Sequence, residues 1–75
     1  MHSKTRKLFL SLGTEVIHLR HPEWGIGTVV EEKNSNVRGG ISFVKINFAR
    51  AGDKTFDNNV ESIYCCYHAG IRKVG

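Results

Sequence analysis

The residues able to do chemistry in this 75-residue chain are few. His18 and His21 lie three apart, and Cys65, Cys66 and His68 crowd the C-terminal quarter. Structural zinc sites space paired Cys or His ligands two to four residues apart, a pattern His18 and His21 meet and the adjacent Cys65 and Cys66 do not. No metal and no cofactor are therefore expected. Neighbouring cysteine side chains point apart in a strand, and bridging them would close almost no loop, so a structural disulfide is not expected either. Cys65 and Cys66 read instead as buried or half-buried strand residues. A thiolate at Cys65 or Cys66 with His68 nearby could attack a substrate, but in a strand Cys66 and His68 share a face by period two alone.

Catalytic motifs are otherwise missing. There is no Gly-x-Ser-x-Gly elbow and no phosphate-binding Gly-Lys-Ser/Thr loop, and no carboxylate is evident as a partner for the histidines. Gly25-Ile26-Gly27 lacks the third glycine and the following helix of a dinucleotide fingerprint. Asp53 and Asp57 flank a strand as turn formers do. No assembled acid, base and oxyanion set is visible, and the chain is expected not to be an enzyme.

The basic residues offer a different chemistry. The formal net charge is +4, but it is unevenly placed. Residues 1–24 hold Lys4, Arg6, Lys7 and Arg20 against Glu15 and Glu23, a balance of +2. Residues 25–71 hold Lys33, Arg38, Lys45, Arg50 and Lys54 against Glu31, Glu32, Asp53, Asp57 and Glu61, which is zero. Arg72 and Lys73 supply the remaining +2. Such ends can lean on phosphate or on an acidic protein surface, or can simply aid solubility.

The elements that must position these residues are short. A chain of 8.4 kDa, 40% hydrophobic and 24% charged, is one small globular domain at most. No apolar run approaches the roughly 20 residues of a membrane span. Leu8–Leu12 is too short and interrupted for a signal-peptide core, and a cytoplasmic protein is expected. Met1–Leu12 reads as a basic N-terminal arm, whose Leu8–Leu12 stretch is either a short helix or a segment docked on the domain, with residues 13–75 forming the domain. Thr14–Leu19 reads as a strand with Val16 and His18 on one side. His21–Gly25 is a turn set by Pro22 and Gly25. Ile26–Glu32 is a second strand, and Asn34–Gly40 a loop. Ile41–Phe48 alternates most clearly, with Val44, Ile46 and Phe48 on one face. Gly52 offers a left-handed turn into a fourth strand, Lys54–Phe56. Asp57-Asn58-Asn59 breaks the run, a single 3₁₀ turn follows, and a last strand covers Ser62–Tyr67. The expected fold is all-β: a small five-stranded antiparallel SH3-like (Tudor-like) barrel.

Within that frame, Gly13-x-x-Val16-x-His18-x-x-His21-Pro22-x-Trp24-Gly25-x-Gly27-x-Val29, then Val44-x-Ile46-x-Phe48 and Gly52-x-Lys54-x-Phe56, form a suggestive set. Over residues 13–64 it resembles the Tudor-like, SH3-like domain at the C-terminus of UvrD/PcrA-type DNA helicases and a related small bacterial domain family. More distantly it is similar to the RNA-polymerase-interacting domain of CarD and transcription-repair coupling factors. Residues 69–75 match neither. The resemblance implies a bacterial, non-catalytic, monomeric module that docks on a protein partner, RNA polymerase or a helicase-type machine, by edge-strand pairing. It points to Glu31, Glu32 and Lys33 at the end of the second strand and to Lys54, Thr55, Phe56 and Asp57 on the fourth. The acidic Asp57 departs from positions that are often basic in those families.

Trp24 is expected to cover one open end of the domain, or to act as a binding hot spot. The alternative function is direct nucleic-acid binding, with Lys4, Arg6, Lys7, Arg20, Arg72 and Lys73 on phosphates and Trp24 or Tyr67 stacked on a base. A methyl-lysine cage would need Trp24, Phe56, Tyr64 and Tyr67 to converge.

Overall fold

Period-two alternation places one face of each strand in the interior, and the computed structural model, which describes residues 8–34, 42–60 and 62–74, follows it through four strands. Strand β1 is Glu15–His18, with Val16 and His18 buried. A 3₁₀ turn, Pro22–Trp24, follows; Pro22 sets its first φ, and Gly25 leaves it at φ 79° with its N–H donated to Pro22 C=O. β2 spans Gly27–Asn34, β3 Ser42–Phe48 and β4 Gly52–Asp57. Gly52 has φ 78°, the left-handed turn expected of it. The expected loop at Asn34–Gly40 lies almost wholly outside the described residues.

These strands pair antiparallel in the order β4-β3-β2-β1-β5, where β5 is Ile71–Lys73. The register between β2 and β3 shifts between Val29 and Glu31. A bulge there adds twist and turns the exposed Val30 off the inner face. The curled sheet forms a half-barrel whose concave side holds Val16, Val29, Val44, Ile46, Phe48 and Ile71, with Leu10, Cys65 and Cys66 closing over it.

One expectation needs correction, and one left open between two readings is decided. Ser62–Tyr67 is not a strand. Ser62 donates its N–H to Asn59 C=O and Cys65 its N–H to Ser62 C=O, so the segment turns, and Cys66–Ala69 forms one helical turn, α1. Among the described residues of this segment only Cys65 forms a β-bridge, a parallel one to Asp57. Gly70, at φ 117°, ends α1 and releases the chain into β5, which pairs with β1. Cys66 and His68 therefore do not share a strand face.

Leu8–Leu12 is not helical. Leu8 bridges Asn59, and Leu10 enters the core. The buried Asn58 secures it, accepting Leu10 N–H on Oδ1 at 2.8 Å and donating Nδ2–H to Leu10 C=O at 2.9 Å. Both polar groups of a buried backbone unit are thus satisfied by one side chain.

Candidate functional site

Gly27 is where the site begins. A Cβ there would lie 2.6 Å from Ile46 Cγ2 and 2.7 Å from Phe48 Cδ1 and Cε1, so only glycine lets the Phe48 ring lie across β2. Trp24 packs edge-on against Phe48 at 5.1 Å, held by its 3₁₀ turn and by Arg50 N–H donated to Trp24 C=O at 2.9 Å. His21 stacks flat on the indole at 4.2 Å and an interplanar angle of 5°. Lys54 Nζ lies over the ring at 4.9 Å, which with His21 already stacked must be the opposite face. His18 meets Trp24 edge-on at 4.9 Å, and Phe56 meets Phe48 at 6.3 Å. Trp24 is therefore the lid over the sheet's open end, half-buried, with both ring faces covered by its own chain. A base could stack on it only by displacing His21 or Lys54.

Electrostatics follow this packing. The buried His18 imidazole is held below its ordinary 6.5, first by burial and then by the nearby His21 and Arg20. Its Nδ1 accepts Arg20 N–H at 3.1 Å, which fixes the neutral ring with its proton on Nε2. His21 does have a carboxylate partner, Glu23, at 3.1 Å. The pair is exposed, and the Glu23 carboxyl is lowered by its own backbone N–H and then by His21. Burial, and then Cys65, pushes the Cys66 thiol up to about 12, so it is no nucleophile at neutral pH. Among the described residues no group of three His, Cys, Asp or Glu side chains could hold a metal ion.

The fourth strand is an edge of the sheet. β4 pairs with β3 through Asn47↔Asp53, Ile46↔Lys54, Lys45↔Thr55 and Val44↔Phe56, while among the described residues its other side forms a bridge only at Asp57↔Cys65. Lys54 and Phe56 face the Trp24 cluster, and Asp53, Thr55 and Asp57 face outward. Beside Thr55, on the outer face, lies a depression of about 230 Å³ lined by Glu31, Lys33, Phe43, Val44, Lys45 and Thr55. Lys45 reaches Glu31 at 3.2 Å across its floor.

A family model described as "Protein of unknown function (DUF3553)" matches residues 10–63, from the core residue Leu10 through all of β4. This chain belongs to the DUF3553 family. No curated protein and no solved structure matches it. The DUF3553 match takes in the Trp24 cluster and the β4 edge and stops short of α1 and β5.

Of the residues the sequence singled out, the DUF3553 fold brings Trp24, Lys54 and Phe56 together and sets Thr55 next to them. Lys33 is exposed near Glu31 at 3.8 Å. Glu32 is already engaged, its Oε2 accepting Leu12 N–H at 2.7 Å to hold the arm. Asp57 accepts Asn59 N–H at 2.8 Å and so shapes the turn after β4. Arg20, Arg72 and Lys73 lie along the other edge, β5, and Lys4, Arg6 and Lys7 lie outside the described residues. The four aromatics of a methyl-lysine cage do not converge: Tyr67 groups with Phe9 and Arg72 instead. Sequence reasoning missed His18, His21 and Phe48 as partners of Trp24. The His18-x-x-His21-x-x-Trp24 spacing, which suits a turn that folds back on a strand, was the available signal.

Proposed function

We propose that this DUF3553 chain is a non-catalytic, SH3-like (Tudor-like) interaction module that accepts a partner protein's strand along the free side of β4. The observation that carries this reading is the edge itself: six residues in register with β3 on one side and, among the described residues, bridged on the other only at Asp57. Alternate backbone groups of such a strand point away from the sheet, and an incoming strand satisfies them. Its side chains would then meet Lys54, Phe56 and the Trp24 cluster on the inner side, and Thr55 and the depression on the outer side. Self-pairing is disfavoured, because the symmetric register centred on Thr55 would set Asp53 opposite Asp57, carboxylate against carboxylate. A monomer with a heterologous partner is the expected state. The resemblance to helicase-type Tudor-like and CarD-type domains supports bacterial RNA polymerase as that partner and the cytoplasm as the place.

Biolayer interferometry of the immobilised chain against purified bacterial RNA polymerase core tests this. Thr55→Pro removes a β4 N–H and obstructs strand addition, while Lys54→Glu replaces the edge's cation by a carboxylate and takes the strand's net charge from −1 to −3 without touching the ladder. With circular dichroism confirming the fold, each should weaken binding about tenfold or more, the loss of roughly 1.4 kcal/mol. Equal binding by folded variants would remove β4 as the contact. Absence of binding by the unmodified chain would remove RNA polymerase.

A further inference from the structure

The opposite edge of the sheet has a chemistry of its own. Arg72, on β5, lays its guanidinium over the Tyr67 ring, with Cζ 3.8 Å from the ring centroid. Its Nη1 donates to Tyr67 C=O at 2.7 Å and to Ile71 C=O at 2.8 Å. Nη1 is the nitrogen on the Cδ side of the group, so this leaves the Nε–H/Nη2–H edge, the side-on fork that matches two oxygens of a phosphate. Among the described residues no carboxylate lies within ion-pair distance of Arg72. The arginine is thus held in place before any anion arrives, and less side-chain freedom is left to lose on binding. Lys73 Nζ stands 5.4 Å over the Phe9 ring, which itself meets Tyr67 edge-on at 5.5 Å. Arg20 extends along Gly70, at the start of the same strand. The acidic residue of the adjoining strand, Glu15, sits beside Val74 at the far end.

One tyrosine completes the surface: Tyr67 is 45% exposed in spite of its contacts. An exposed tyrosine beside a fixed guanidinium offers a stacking face next to a phosphate site, the combination that unpaired bases on a flexible backbone can use. A duplex hides its base faces and cannot. The sequence also sets Lys4, Arg6 and Lys7 within five residues of Phe9.

We propose that the β5 edge binds single-stranded nucleic acid, with Arg72 gripping a phosphodiester through its free fork, Lys73 and Arg20 adding charge along the strand, and Tyr67 stacking on a base. This surface is separate from β4, and the two activities can fail independently.

Fluorescence anisotropy with a labelled twelve-nucleotide oligothymidylate, at 20 and 150 mM salt, tests the proposal. With two or three phosphates neutralised, affinity should fall about 20- to 70-fold between those salts. Arg72→Gln should weaken binding about tenfold and flatten the salt slope by about 0.7. Tyr67→Leu, which keeps the backbone C=O that holds Arg72 and removes the stacking ring, should weaken binding about tenfold without changing the slope, with circular dichroism confirming the fold. Thr55→Pro should bind as the unmodified chain does. No binding at 20 mM salt, or unchanged binding by Tyr67→Leu, would overturn the proposal. So would equal affinity for a duplex of the same length or for a polyglutamate peptide.

Discussion

Replacing Gly27 by alanine should destabilise the protein well beyond what a single added methyl group suggests. The new Cβ would stand 2.6–2.7 Å from Ile46 Cγ2 and two carbons of the Phe48 ring, where ordinary carbon contacts are about 3.5–4.0 Å. Neither neighbour can move aside easily. Both are fully buried, and Phe48 is wedged between Trp24 at 5.1 Å and Phe56 at 6.3 Å. Overpacking of this kind costs about 1–3 kcal/mol. In a chain of this length each kcal/mol lowers Tm by about 4–8 °C, so a fall of about 4–24 °C is expected in a circular-dichroism melt. Phe48→Leu removes the ring atoms that face the methyl. It should therefore be far less harmful in the Gly27→Ala background than alone, a coupling that a double-mutant cycle reads directly. A Gly27→Ala protein melting within about 2 °C of the parent, or Phe48→Leu costing the same in both backgrounds, would refute this packing and the placement of Trp24 that depends on it.

Asn58→Ala should cost about 2–4 kcal/mol, read from urea denaturation, because it strands the buried N–H and C=O of Leu10 together. Stability should also depend on His18. Its folded pKa lies below the 6.5 of the free side chain, so stability is full above that value and is lost as pH falls toward the lowered one, where the unfolded chain binds the proton more readily. Melting temperatures should therefore decline from pH 7 to 5, and His18→Gln should flatten the decline. Cys66, raised from an ordinary 9.0 to about 12, should hold roughly a thousandfold less thiolate at pH 8. Iodoacetamide followed by mass spectrometry should leave it unmodified in the native protein and label it in guanidine.

The first four strands were legible because each buries one face only. Val44, Ile46 and Phe48 alternate with Phe43, Lys45 and Asn47, and no helix can bury that set alone. Bounds moved by one or two residues, as at β4, where Gly52 and Asp57 pair with Phe48 and Phe43. The last strand was misplaced because Ser62–Tyr67 is rich in residues that favour strands. Yet Cys65 and Cys66 are both buried, which a one-sided strand does not allow, and Gly70 marks the stop after which β5 begins. The arm's docking was not readable. It rests on Asn58, whose side chain meets Leu10 across 48 residues, and its position in an Asp-Asn-Asn run suggests only a turn. Lys54 and Phe56 share the face of β4 turned toward Trp24 and Phe48 because the fourth strand lies where the alternation put it. The grip of Arg72 on Tyr67 was hidden because it depends on the helical turn that replaced the expected strand.

Amide hydrogen exchange on the chain alone and with a saturating amount of RNA polymerase core reads the β4 edge itself. Strand addition should slow exchange at Asp53 and Thr55, whose N–H groups point away from β3, while the β5 amides exchange as before. A bound complex in which those two amides exchange as fast as in the free chain would contradict edge docking.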